Sequence, residues 1–144
     1  MWFEKLDTAG LPDKAAEGLH AVIYYYFTAF ATSALVWVLW RLFELRSYLW
    51  QNILALILLF GLMFLVINGL RGQKLWARVV LLLEYGLFFL ASAYFFGLSL
   101  LAIGTKYSGE LVTAVSVYLM YLILWAYGIY QLAFDSKIKT IDWK

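Results

Sequence analysis

Four long apolar stretches, at residues 21–40, 51–70, 75–103 and 111–134, fill most of the chain, and the polar positions between them fall into short clusters. Within each stretch the apolar residues run on continuously instead of alternating. That pattern predicts helices and argues against the period-two strands of a β-barrel. Each stretch approaches or exceeds the ~20 apolar residues with which an α-helix crosses a hydrocarbon layer about 30 Å thick. Short connections force consecutive helices to lie side by side and antiparallel. The expected fold is an all-α integral membrane protein, a single domain over residues 1–144 with four transmembrane helices in an up-down-up-down antiparallel bundle.

Composition narrows the chemistry. The chain is 65% hydrophobic, 20% aromatic and only 14% charged, against roughly 25% charged in a soluble domain. There is no cysteine, which excludes thiolate nucleophiles, disulfide exchange, iron–sulfur ligation and thiolate zinc sites. The single histidine, His20, cannot ligate a haem from both sides. No cofactor and no metal are therefore expected. The net charge of +2 is too small to point to nucleic acid. Glu4, Asp7, Asp13 and Glu17 precede the first apolar run, unlike the basic start of a cleavable signal, so the first helix is expected to stay as a signal anchor.

The distribution of charge predicts orientation. Lys5, Lys14, Arg71, Lys74, Arg78, Lys137, Lys139 and Lys144 fall on one side of the expected bundle, eight in all, against three (Arg41, Arg46 and Lys106) on the other. By the positive-inside rule the N- and C-termini are cytoplasmic, and the expected location is a bacterial inner membrane. Trp37, Trp40, Tyr48 and Trp50 mark the first external loop and Tyr107 the second, while Trp76 and Tyr130 mark the opposite boundary. Such rings favour the headgroup zone. With 7 Trp, 11 Tyr and 11 Phe, the chain holds more rings than two interface belts need, so some are expected to pack helices or meet a partner.

The tails carry weaker signals. Trp2, Phe3 and Leu6 have the character of an interfacial segment before Gly10-Leu11-Pro12, and Asp13 is the expected N-cap of the first helix. Lys137, Lys139 and Trp143 are expected to rest on anionic headgroups. So are Arg71, Lys74 and Arg78 of the loop between the second and third helices, where Gly69 and Gly72 permit a tight reversal.

Glu84 lies inside the third stretch, eight residues beyond Trp76, or ~12 Å at 1.5 Å per residue. A carboxylate at that depth is costly unless it is paired, protonated or facing water, so it marks a site. Ala77 and Ala91 share its helix face, which points that face into the bundle, and Gly86 permits further close contact. The pairs Ala29/Ser33 and Ala93/Gly97 have the spacing of close helix contacts. Each of the other helices offers a polar group to the same half. Asn68, Gln131 and His20 form the expected intramembrane polar cluster with Glu84, and a tyrosine such as those at Tyr24-Tyr25-Tyr26 is an alternative partner. Three roles follow: a structural hydrogen bond holding the helices in register, a titrating group in ion or substrate movement, or a contact with a partner's basic residue.

Small multidrug exporters are four-helix proteins of similar size with an intramembrane glutamate, but theirs lies in the first helix and Glu84 lies in the third. They also commonly insert in both orientations, which the charge bias here disfavours. Paired carboxylates, a serine–histidine arrangement and a phosphate-cradling loop are all missing from the sequence, so an enzyme is not expected. The expected function is a non-enzymatic accessory or binding subunit of a larger membrane assembly, or an immunity-type blocker of a membrane protein. Its partners are then the lipid bilayer and either another membrane protein or further copies of itself. The alternative is a small proton-coupled transporter or channel using Glu84, with a membrane enzyme acting on lipid or quinone last.

Overall fold

A computed structural model describes residues 11–43, 49–105 and 109–144. The expected interfacial segment at Trp2, Phe3 and Leu6, the external-loop residues Arg46, Tyr48, Lys106 and Tyr107, and the side chains of Trp40, Arg41 and Trp50 lie outside the described residues. The rest is helical: α1 Asp13–Phe43, α2 Leu49–Arg71, α3 Leu75–Thr105, α4 Gly109–Phe134 and a short α5 Ser136–Lys139. Four of these are long and apolar enough to cross a membrane.

α1 starts earlier than its apolar run. The carbonyl of Pro12 accepts hydrogen bonds from the N–H groups of Ala15 (2.9 Å) and Ala16 (3.0 Å), so Pro12 caps the helix and Asp13 is its first residue. An acidic side chain in the first turn still suits the helix dipole. The added turns are held by burial, because Ala15, Leu19, Val22, Ile23, Tyr26 and Phe30 line one face and are all buried. At 31 residues, α1 is about 46 Å long, well beyond the hydrocarbon thickness.

The reversal from α2 to α3 is a Schellman turn. Lys74 N–H donates to the Gly69 carbonyl (2.9 Å) and Gln73 N–H to that of Leu70 (3.0 Å). The residue in the left-handed conformation is Gln73, with φ 53°, and not either of the glycines that the sequence offers.

Around the bundle the order is α1, α2, α3, α4, with α1 closing against α4 and the α3–α4 contact the most extensive. The start of α1, the α2–α3 turn and the segment after α4 meet at one end, called here the near end. Asp135 caps α5 by accepting from Lys137 N–H (2.9 Å). Ile138 is fully buried and Ile141 nearly so. α5 lies so close to α1 that a Cβ on Gly18 would stand 2.7 Å from that of Lys137. Beyond α5, Lys144 N–H donates to the Gln73 carbonyl (2.9 Å), and the Lys144 carbonyl accepts from Leu75 N–H (2.8 Å). The basic tail thus folds under the helices as a packed plug. Lys137 pairs with Glu17 at 3.2 Å, and the Lys139 ammonium sits 5.9 Å from the Phe134 ring.

Candidate functional site

The site begins with Tyr26, which projects from α1 across the bundle toward α3. Its hydroxyl donates to Glu84 Oε2 at 2.8 Å, the ring is buried, and Glu84 itself is half-buried. Tyr85, next in sequence, turns to the other side. Its ring meets Tyr26 edge-on at 6.0 Å and lies 5.7 Å from Trp125 of α4. That placement depends on Gly128, because a Cβ there would come within 2.6 Å of the Tyr85 ring. Tyr25 extends the contact between α1 and α4 by donating to the Leu124 carbonyl at 2.5 Å and packing edge-on against Tyr127.

The structure assembles only part of the expected cluster. Asn68 and His20 are exposed. Gln131 is half-buried, and among the described residues no hydrogen bond joins it, Asn68 or His20 to Glu84. The partner of Glu84 is the tyrosine. Neither arginine folds back to it. Arg78 Nη2 donates to the Leu132 carbonyl (2.7 Å) while its guanidinium lies over Trp143 at 5.4 Å, and Arg71 keeps a buried Nε without a partner. A phenol donor in place of a cation leaves Glu84 outside any ion pair among the described residues. No group of three or more metal-ligating side chains occurs there either.

The close contacts also fall elsewhere than the small residues suggest. A Cβ on Gly86 or Gly97 would meet nothing within 4 Å. Ala29 is buried as its spacing implied, but its companion Ser33 borders open space.

That space is a partly open cleft of about 380 Å³ in the far half, reached one helical turn beyond Glu84 and lined by all four long helices. Phe30, Phe88 and Trp125 separate it from the Tyr26–Glu84 pair, and Phe88 stacks on Trp125 at 5.0 Å. Sequence reading did not single it out. Its only signal is Ser92, a polar residue on the α3 face that also carries Ala77, Leu81 and Tyr85, all four buried.

Searches against protein families, curated proteins and solved structures find no match to this chain.

Proposed function

We propose that this chain is a non-enzymatic membrane protein acting as an accessory or binding subunit of a larger membrane assembly, immunity-type blocking of another membrane protein being one form of that role. Its four long helices run up-down-up-down through a bacterial inner membrane, with both termini and the plugged near end in the cytoplasm. The meeting of the α1 start, the α2–α3 turn and the tail supports that order, and the positive-inside bias supports the orientation. Cysteine labelling at Ser136 from the cytoplasm and at Ser108 from outside is the expected pattern.

The observation that carries the binding role is the outer face shared by α1 and α4. Tyr24, Tyr127 and Tyr130 are 66%, 50% and 57% exposed there. Tyr127 stands seven residues inside the end of α4 and three residues inside the boundary residue Tyr130, or about 4.5 Å deeper than that ring. A hydroxyl facing hydrocarbon at that depth lacks a partner, whereas a neighbouring helix supplies one. A photoreactive residue at position 24 or 127 should give a discrete protein adduct in native membranes, and one at the exposed aliphatic position Leu58 should give none. Adducts to lipid alone at all three positions would reject the binding role.

A proton-coupled transporter or channel is the second reading, favoured by the Tyr26–Glu84 hydrogen bond inside the bundle. Against it, the next turn is walled by Phe30, Phe88 and Trp125, none of which accepts a proton. Purified protein in liposomes is expected to show no proton-driven flux. A pH-dependent flux abolished by Glu84→Gln would select the transporter instead.

A further inference from the structure

The far-half cleft has a specific chemistry. Its volume of about 380 Å³ falls within the roughly 300–1,000 Å³ of small-molecule sites. Its walls are built from rings, among them Trp37, Phe88, Phe95, Tyr121 and Trp125. Several are held in parallel pairs: Phe95 stacks on Tyr118 with 18° between planes, and Tyr121 on Trp125 with 7°. Flat apolar surfaces of this kind favour a flat guest over a flexible one. Ser92 borders the same space, only 7% exposed, and its hydroxyl makes no hydrogen bond among the described residues. By contrast Ser33, on the opposite wall, is paired with its own helix at the Ala29 carbonyl (2.8 Å). A hydroxyl that opens onto an apolar cleft leaves a donor to be used there, so the guest that fits best brings an acceptor to Ser92.

We propose that the cleft binds a flat conjugated molecule carrying a hydrogen-bond-accepting carbonyl, the chemistry of a membrane quinone head group, with Ser92 donating to that carbonyl. Other occupants fit less well. A lipid acyl chain fills apolar volume but leaves the Ser92 hydroxyl unpaired and makes no use of the stacked rings. A partner helix has its backbone acceptors already bonded within itself and reaches Ser92 with an acceptor only through a side chain. The proposal concerns binding alone and stands apart from the tyrosine face on α1 and α4.

The test uses the full chain in lipid nanodiscs and decylubiquinone as the probe, read by quenching of tryptophan fluorescence, since Trp37 and Trp125 border the cleft. Quenching should saturate. Ser92→Ala should weaken binding about tenfold, as expected for one hydrogen bond lost at a buried site. Ala91→Phe should abolish binding by filling the cleft. Decane, which has the tail without the ring, should not displace the probe. Helical circular dichroism confirms that each variant is folded, and if Ala91→Phe is not, Ser92→Ala with the decane competition decides. Quenching that rises without saturation, equal affinity in wild type and Ser92→Ala, or displacement by decane as effective as by unreactive quinone analogues would each overturn the proposal.

Discussion

The two halves of this bundle are built from the same apolar residue types yet pack differently. In the near half, Leu19, Tyr26, Met63, Leu70, Leu81, Tyr85 and Leu132 are almost wholly buried, whereas among the described residues that line the far-half cleft only Phe30, Ser92 and Trp125 are buried. Hydropathy does not explain the difference, since lipid tails solvate leucine as well as another helix does. Helices in hydrocarbon close on one another through shape and hydrogen bonds. The near half has both. Tyr26 bonds to Glu84, Tyr25 to the Leu124 carbonyl and Arg78 to the Leu132 carbonyl, while the tail plugs the end. In the far half Ser33, Ser99 and Ser116 each bond back to their own helix. Apolar sequence carries the helices into the bilayer, and a few polar pairs decide where they close.

The sharpest way to break this contrast is to remove matched side chains from the two halves. Ile138→Ala takes a fully buried side chain out of the plug and should cost about 2–4 kcal/mol, the usual range for such truncations in a close-packed site. Ile123→Ala removes the same atoms where the side chain is 65% exposed and should change stability by less than about 0.5 kcal/mol. Reversible unfolding in mixed detergent micelles measures both. Equal losses would mean that the tail does not seal the near end.

Overpacking tests the same asymmetry from the other direction. Gly128→Leu drives new atoms into the Tyr85 ring and should cost about 1–3 kcal/mol. At Gly97 the same substitution meets open space and should be tolerated. A cost at Gly97 equal to that at Gly128 would show that the far half closes around this position.

Much of the fold was legible because four continuous apolar runs admit little else. The two additional turns of α1 were not, since Asp13, Lys14 and Glu17 look solvated until Ala15 and Leu19 are seen to meet the rest of the core. The plug was hidden for a similar reason: Ile138, Ile141 and Trp143 are scattered among charges, and their burial depends on a return path that only the third dimension supplies. Glu84 announced itself by its charge. Its partner did not, because neighbouring tyrosines are chemically alike and only helix phase sends Tyr26 inward while Tyr24 faces out. The same phase turns Asn68 and His20 away from the site.

The Tyr26–Glu84 pair is the next test, of intermediate size. Glu84→Gln keeps an acceptor for the Tyr26 hydroxyl and should preserve folding. Glu84→Leu removes the acceptor and should cost about 1 kcal/mol, near the upper part of the range for hydrogen bonds between membrane helices. Tyr26→Phe should cost a similar amount, and the double variant should lose little more than either alone, since both remove one bond. Additive losses would show that the two groups act separately, and severe misfolding of the Gln variant would reveal an ionised carboxylate held by a cation.

The smallest expected effect lies in the α2–α3 turn, and it is a gain. Gln73 holds φ at 53°, a left-handed conformation that places a side chain close to the following carbonyl and is unfavourable for any residue with a Cβ. Glycine escapes that strain but loses more conformational freedom on folding, so only part of the difference survives. Gln73→Gly should therefore stabilise the near end by about 0.5 kcal/mol. The backbone bonds of the turn remain, because Gln73 contributes its N–H to Leu70 and its carbonyl to Lys144 N–H and no side-chain bond. The matching control, Gly61→Ala, places a methyl group in open space within α2 and should also stabilise, through helix propensity, by up to about 1 kcal/mol. The two gains arise from opposite exchanges of glycine, one in the turn and one in a helix interior. A loss on Gln73→Gly would mean that the Gln73 side chain anchors the turn or that its backbone is not left-handed in the bilayer.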